Sequence, residues 1–249
     1  MFKRIGIFIY GMLCYAIFFA TFLYAIGFIG GFGVPVTIDS GPTLPLGRAL
    51  LIDVLLLGLF AVQHSVMARP AFKRWWTRYV PKPAERSTYV LFSSLLLIAL
   101  FAYWQPIGGV VWSVQDPLMR GLLYGIFALG WLTVLVATFL INHFDLFGLR
   151  QVWLYLTGRS YTQLRFGTPW LYRHVRHPLY VGWLMAFWAT PHMTAAHLLF
   201  AVATTAYILL AIRFEEHDLQ AIHPEYADYR RRVPMLLPLT KIAWSASER

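Results

Sequence analysis

The 249-residue chain has one cysteine, Cys14. A single thiol cannot close an intrachain disulfide, and without a CxxC pair there is no zinc knuckle and no dithiol redox centre. Charge is scarce as well: 13% of the residues are Asp, Glu, Lys or Arg, against about 25% in soluble domains. Only 11 residues are acidic. No internal repeat and no low-complexity tract is visible, which excludes solenoid architectures. The +10 net charge comes without a nucleic-acid-binding motif, so nucleic acid is not expected as a partner.

Apolar residues fill the space that charge leaves. They make up 59% of the chain, with a mean hydropathy of +0.58. About 20 mostly apolar residues cross a hydrocarbon core of ~30 Å, and residues 5–32, 46–67, 89–112 and 118–141 each qualify. No small-residue cleavage site follows the first run, so it is expected to remain as a span rather than act as a removed leader. A fifth apolar region, 179–212, is too long for one span and contains Ala189-Thr190-Pro191. Proline breaks a helix by removing a donor and clashing with the preceding turn, so this region reads as two antiparallel helices, 178–190 and 194–214. The expected fold is therefore an all-α polytopic membrane bundle of four spans plus a C-terminal helical hairpin, five to six membrane helices in all. It divides into a four-helix region, 1–141, and a part spanning 142–249 that holds a connection, the hairpin and an amphipathic helix, 215–232.

Orientation follows from the basic residues, because positively charged loops stay in the cytoplasm. Of the 21 Lys and Arg, all but Arg48 and Arg120 fall on one side of this scheme, Arg165, Lys241 and Arg249 among them. Both termini are expected to be cytoplasmic, in a bacterial inner membrane, with anionic lipids as partners and no obligate protein partner.

Polar residues inside the spans are few, and such residues face the bundle interior or a cavity. Asp53 is expected to cap or to pair, Arg48 being a candidate partner; Gln63 and His64 lie near the cytoplasmic end of the second span. Trp153-Leu154-Tyr155 suits an interfacial helix. Tyr226 and Tyr229 share a helical face and are expected to be structural or lipid-facing, with Arg230, Arg231 and Arg232 beside them. His143, His174, His177, His192 and His197 are too scattered to build a metal centre, and no metal is expected. The densest chemistry is Arg176-His177-Pro178-Leu179-Tyr180-Val181-Gly182 and Glu215-Glu216-His217-Asp218, at the two ends of the hairpin. Cations, aromatics and carboxylates meet there at a membrane surface, as the binding of a charged, water-soluble cofactor requires.

The run from Leu171 through Tyr172-Arg173-His174-Val175-Arg176-His177-Pro178-Leu179-Tyr180 to Gly182, then Glu215-Glu216, then Glu225-Tyr226-Ala227-Asp228-Tyr229-Arg230, resembles the C-terminal part of the isoprenylcysteine carboxyl methyltransferases. Upstream, Gln63-His64-Ser65-Val66-Met67-Ala68-Arg69-Pro70 and Glu85-Arg86-Ser87-Thr88-Tyr89 resemble the NnrU-type proteins and, most closely, the bacterial methanethiol S-methyltransferases. That resemblance implies methylation of a small thiol, methanethiol, to dimethyl sulfide, with S-adenosyl-L-methionine as donor from the cytoplasmic side. It implies donor-binding roles for Phe166, Gly167, Tyr172, Arg176, His177, Pro178, Leu179, Tyr180 and Glu215 or Glu216. Arg176, His177 and Tyr180 would meet the donor's carboxylate; either glutamate would meet its ammonium or ribose. Arg213 lies near the position of a substrate-facing arginine, and His64 is the candidate base for the thiol proton, with a tyrosine or water beside Arg213 as alternatives. Carboxyl methylation of a prenylcysteine or other lipid-like acceptor, and a non-enzymatic role in nitrogen-oxide metabolism, are the competing implications.

Overall fold

The computed structural model describes residues 1–164 and 166–238; Arg165, Lys241 and Arg249 of the charge bias lie outside them. Five helices are long and apolar enough to cross a membrane: α1 (Phe2–Gly30), α2 (Leu46–Ala68), α4 (Lys82–Tyr103), α5 (Pro117–Ile141) and α9 (Ala195–Ile222). Short helices join them: α3 (Pro70–Trp76), α6 (His143–Leu146), α7 (Leu149–Leu156), α8 (Pro178–Trp188) and α10 (Tyr226–Arg232). The chain is an integral membrane protein of the all-α polytopic kind. Aromatic side chains, among them Phe28, Phe101, Trp104, Trp131, Phe187 and Phe200, fill the core between α1, α4, α5, α8 and α9.

Three boundaries differ from the hydropathy reading. The third span begins at Lys82 and not near residue 89, because Pro83 in the first turn starts a helix without losing a bond. It ends at Tyr103, where Gln105-Pro106-Ile107-Gly108-Gly109 cannot continue it. The apolar residues beyond form β1 (Val110–Ser113), which pairs antiparallel with β2 (His192–Thr194). At the far end α9 runs on through Glu215 to Ile222, so the expected amphipathic helix 215–232 is the tail of α9 followed, after a break at His223-Pro224, by α10.

The hairpin also departs from two equal arms. With 11 residues, α8 is about 16 Å long, half the hydrocarbon thickness. The rest of that arm is extended backbone, a form tolerated at membrane depth only where protein satisfies it. Here Val114 donates to the Pro191 carbonyl (2.8 Å), Ala195 to that of Gly109 (3.1 Å) and Trp112 Nε1 to that of Thr190 (3.0 Å). Asp53 serves the same end of the molecule. Wholly buried, it accepts from the backbone N–H of Gln105 (2.9 Å) rather than pairing with Arg48.

Two glycines set the depth of α8 in the bundle. A Cβ on Gly130 of α5 would stand 2.7 Å from the Ala186 nitrogen and 2.8 Å from the Gly182 oxygen; one on Gly182 would stand 2.7 Å from the Gly130 oxygen. The opposing atoms are backbone and cannot rotate away. The expected interfacial helix is α7, with Val152 buried against Gly11 of α1 and Trp153 turned outward. Gly130→Ala is expected to destabilise the protein by about 1–3 kcal/mol through overpacking, whereas Gly125→Ala, which meets nothing within 4 Å, should be neutral or slightly stabilising. Thermal unfolding in detergent checks the pair; equal midpoints would mean that the α5–α8 contact is not tight.

Candidate active site

The site starts from a proline. Pro178 opens α8 at a position where a missing N–H costs nothing, and this leaves Arg176 and His177 just outside the helix in extended backbone. Their N–H groups donate to the carbonyls of Pro234 (2.9 Å) and Met235 (3.2 Å). The segment after α10 is thereby laid across the start of α8.

Glu216 ties these pieces together. It is 5% exposed, and Arg176 Nε donates to its Oε1 at 2.7 Å, His177 Nε2 to the same oxygen at 3.0 Å, and Arg230 Nε reaches Oε2 at 3.1 Å. Arg176 Nη1 donates to the carbonyls of Val233 (2.5 Å) and Arg230 (3.1 Å), a cation on the free carbonyls of a helix C-terminus. One residue earlier, about 100° round the helix, Glu215 is half-exposed. The Tyr180 hydroxyl donates to its Oε2 at 3.0 Å, and His177 Nδ1 lies 3.8 Å from the same oxygen.

Beside this pair stands an aromatic wall. Phe166 packs against His223, Tyr226 and Tyr229 at ring separations of 5.5, 5.8 and 5.6 Å, and Tyr229 Oη donates to the Tyr172 carbonyl at 2.6 Å. Tyr226 and Tyr229 therefore face this wall and not lipid. Burial pushes the phenols of Tyr172, Tyr226 and Tyr229 well up, so they stay neutral. The buried Tyr226 hydroxyl has no partner among the described residues. Gly167 is exposed, and nothing lies within 4 Å of where its Cβ would be, so its backbone is open to approach.

The upstream half reaches the same place. His64 on α2 stacks on Phe60 and meets Tyr89 Oη through Nε2 (2.9 Å) and Ser93 Oγ through Nδ1 (3.2 Å). Ser65 bonds Tyr207 of α9 (3.1 Å), and Arg69 pairs with Asp218 of α9 (2.9 Å). Thus the structure brings His64 to the same end of the bundle as residues 176–180 and Glu215. Arg213 is not drawn in: two residues before Glu215, it points to another side of α9, exposed and without a polar partner among the described residues. Tyr89, Tyr207 and Ser93 had no assigned role on sequence grounds, and Arg230 was expected to be structural or lipid-facing, with no contact to Glu216 foreseen. A polar group inside an apolar span was the available signal for the first three; for Arg230 there was none. Two surface grooves, of about 390 Å³ beside α1, α3 and α4 and about 440 Å³ around Phe139–Phe144, lie apart from all of these.

This set suits an adenosyl sulfonium. It offers an unshielded carboxylate at Glu215, aromatic surfaces at Phe166 and Tyr172, an orphaned donor at Tyr226 and open backbone at Gly167.

Fold and site define a polytopic membrane enzyme. The chain is 59% identical over 237 residues to the methanethiol S-methyltransferase of Crocosphaera subtropica, covering 95% of this chain and 93% of that one. To the methanethiol S-methyltransferase of Mycobacterium tuberculosis it is 54% identical over 237 residues, 95% of this chain and 97% of the other. A more distant likeness, 31% over 203 residues, joins it to Nurim of Bos taurus, covering 75% and 73% of the two chains. The chain belongs to the methanethiol S-methyltransferase family. No family model and no solved structure matches it.

Glu216→Gln leaves Arg176 buried without its counter-charge, a loss of about 3–5 kcal/mol. Glu215→Gln, half in solvent, should change stability by less than about 1 kcal/mol. Thermal midpoints of both variants in detergent test the contrast. A Glu216→Gln protein as stable as wild type would show that the cluster of Arg176, His177 and Arg230 on Glu216 does not hold the site together.

Proposed function

We propose that this chain transfers a methyl group from S-adenosyl-L-methionine to methanethiol, releasing dimethyl sulfide. The observation that carries the reading is identity above 50% to relatives bearing that name, along a stretch that includes both the residues round Glu216 and the upstream His64 neighbourhood. When bound, the donor supplies a methyl group made electrophilic by its sulfonium. The acceptor sulfur bonds to that carbon as the old carbon–sulfur bond breaks, and the thiol proton must leave. Neutralisation of an anion by a cation loses charge, so the dry, apolar surroundings need not stabilise a new ion. Most of the advantage lies in holding the reacting atoms about 3–3.5 Å apart.

In this reading Glu215 takes the donor's ammonium or ribose hydroxyls with the capacity that Tyr180 leaves free. Glu216 serves as the clamp that holds Arg176 and His177. Phe166, Gly167 and Tyr172 form the adenine side, and Pro178 and Leu179 the apolar start of α8. Arg213 retains at most a role towards the acceptor's approach.

His64 is the base, with Tyr89 between it and the substrate. Both ring nitrogens already have partners, Tyr89 Oη at Nε2 and Ser93 Oγ at Nδ1; in the relay Tyr89 donates to Nε2. The thiol proton therefore goes to Tyr89 Oη while the phenol's own proton moves to His64 Nε2. A thiol with a pKa near 8.5 or above needs such help. Charge distribution supports a site on the cytoplasmic face of a bacterial inner membrane, with the N-terminus on the same side.

Headspace analysis of purified protein with methanethiol and S-adenosyl-L-methionine should detect dimethyl sulfide; its absence from folded protein overturns the reading. His64→Ala and Tyr89→Phe should each lower turnover by roughly a hundredfold, and the double variant should fall no further. Additive losses would break the relay. Because Cys14 is buried, orientation can be read with an impermeant thiol reagent on intact cells: Thr43→Cys should label and Ser160→Cys should not. The reverse pattern inverts the topology.

A further inference from the structure

An amino-acid end carries an ammonium and a carboxylate on one carbon, so a pocket for it needs an anion and a cation within a few ångströms of each other. Glu215 supplies the anion. The groups that the resemblance assigned to the carboxylate already hold bonds inside the protein: Arg176 and His177 to Glu216, and the Tyr180 hydroxyl to Glu215. A less committed set of positive groups stands at the corner where α2, α3 and α4 meet.

Three basic residues gather there, Arg69, Lys73 and Arg86. Arg69 is neutralised by Asp218 at 2.9 Å. Lys73, one turn on from Arg69 and half-buried, has no carboxylate within ion-pair distance among the described residues, and neither has Arg86. Arg86 donates Nε to the Leu146 carbonyl (2.6 Å) and lies over the Tyr89 ring at 4.8 Å. Glu85 and Asp218 also face Lys73, yet burial and the nearby Arg86 together hold its pKa below the usual lysine range. The corner is short of negative charge.

Two routes connect this corner to Glu215. Asp218, held by Arg69, is three residues beyond Glu215 on α9 and shares its face, about 5–6 Å away. Tyr89, beneath Arg86, meets His64, and Ser65 next to His64 bonds Tyr207 on α9, the helix that carries Glu215. The Arg69–Asp218 pair thus sets the basic corner one helical turn along α9 from Glu215.

We infer that Lys73 and Arg86 receive the α-carboxylate of the methyl donor, opposite Glu215, which takes the ammonium of the same carbon. This rests on the reading of S-adenosyl-L-methionine as donor. It assigns the upstream half a share in donor binding.

Calorimetry on purified full-length protein tests it with two ligands, S-adenosylhomocysteine and its decarboxylated analogue, which keeps the amine and the nucleoside. Wild type should prefer the carboxylate-bearing ligand by about tenfold or more, the scale of a hydrogen bond to a charged group. Lys73→Met should erase that preference by weakening S-adenosylhomocysteine alone, and Lys73→Arg should restore it. Lys73 is half-buried on a short helix and makes no side-chain bond among the described residues, so its variants are expected to fold; unfolding in detergent verifies this. Equal weakening of both ligands by Lys73→Met, or of neither, overturns the inference while leaving the donor reading intact. A folded wild-type protein that binds neither ligand overturns both.

Discussion

A carboxylate removed from water has to find its partners inside the protein, and Glu216 finds two guanidinium groups and a histidine ring. Arg176, His177 and Arg230 come from the start of α8 and from α10, while Glu216 itself belongs to α9. Every other feature of the site follows from that junction: the chain after α10 is drawn over residues 176 and 177, the hairpin arms are pinned at one level, and Glu215 is turned towards Tyr180. A buried ion cluster is no guarantee of net stability, because desolvation cancels much of the attraction. What it does secure is register, since no neighbouring residue could replace Glu216 without leaving a charge unpaired.

The same junction changes how the positive residues near the hairpin should be understood. A motif rich in Arg, His and Tyr beside two glutamates invites the view that all of them face a ligand. In the folded chain most face one another; beside them stand a half-exposed carboxylate at Glu215, an aromatic wall and the Tyr226 hydroxyl, which has no partner among the described residues. The proposed recognition of a zwitterionic group draws on the first half of the chain, where Arg86 lies over Tyr89 and Tyr89 meets His64. The proposed donor and thiol sites are therefore adjacent, and they share α4 as a common wall.

The extended backbone after α8 is the counterpart of this arrangement at the other end of the molecule. Its hydrogen bonds are met by the strand after α4 and by Trp112. A short α8 can then sit deep against α5 through Gly130 and Gly182. Had the arm been helical throughout, Pro191 would have left a carbonyl bare in the membrane.

Much of this was legible in the residues themselves. Hydropathy, the spacing of prolines and the placement of Lys and Arg determined that the chain is a polytopic helical membrane protein with a hairpin near its C-terminus, because transfer from water to hydrocarbon acts on composition over a window of about 20 residues. The pairing of residues 176–180 with Glu215-Glu216 as two arms of one site was equally accessible, since both flank one apolar stretch. Tertiary structure alone decided which glutamate turns inward, that Asp53 bonds the Gln105 backbone and not Arg48, and that Tyr89 stands at His64. Each of these is a contact between residues far apart in the chain. Local sequence sets what a segment is able to bury; which partner meets it is set only when the helices pack.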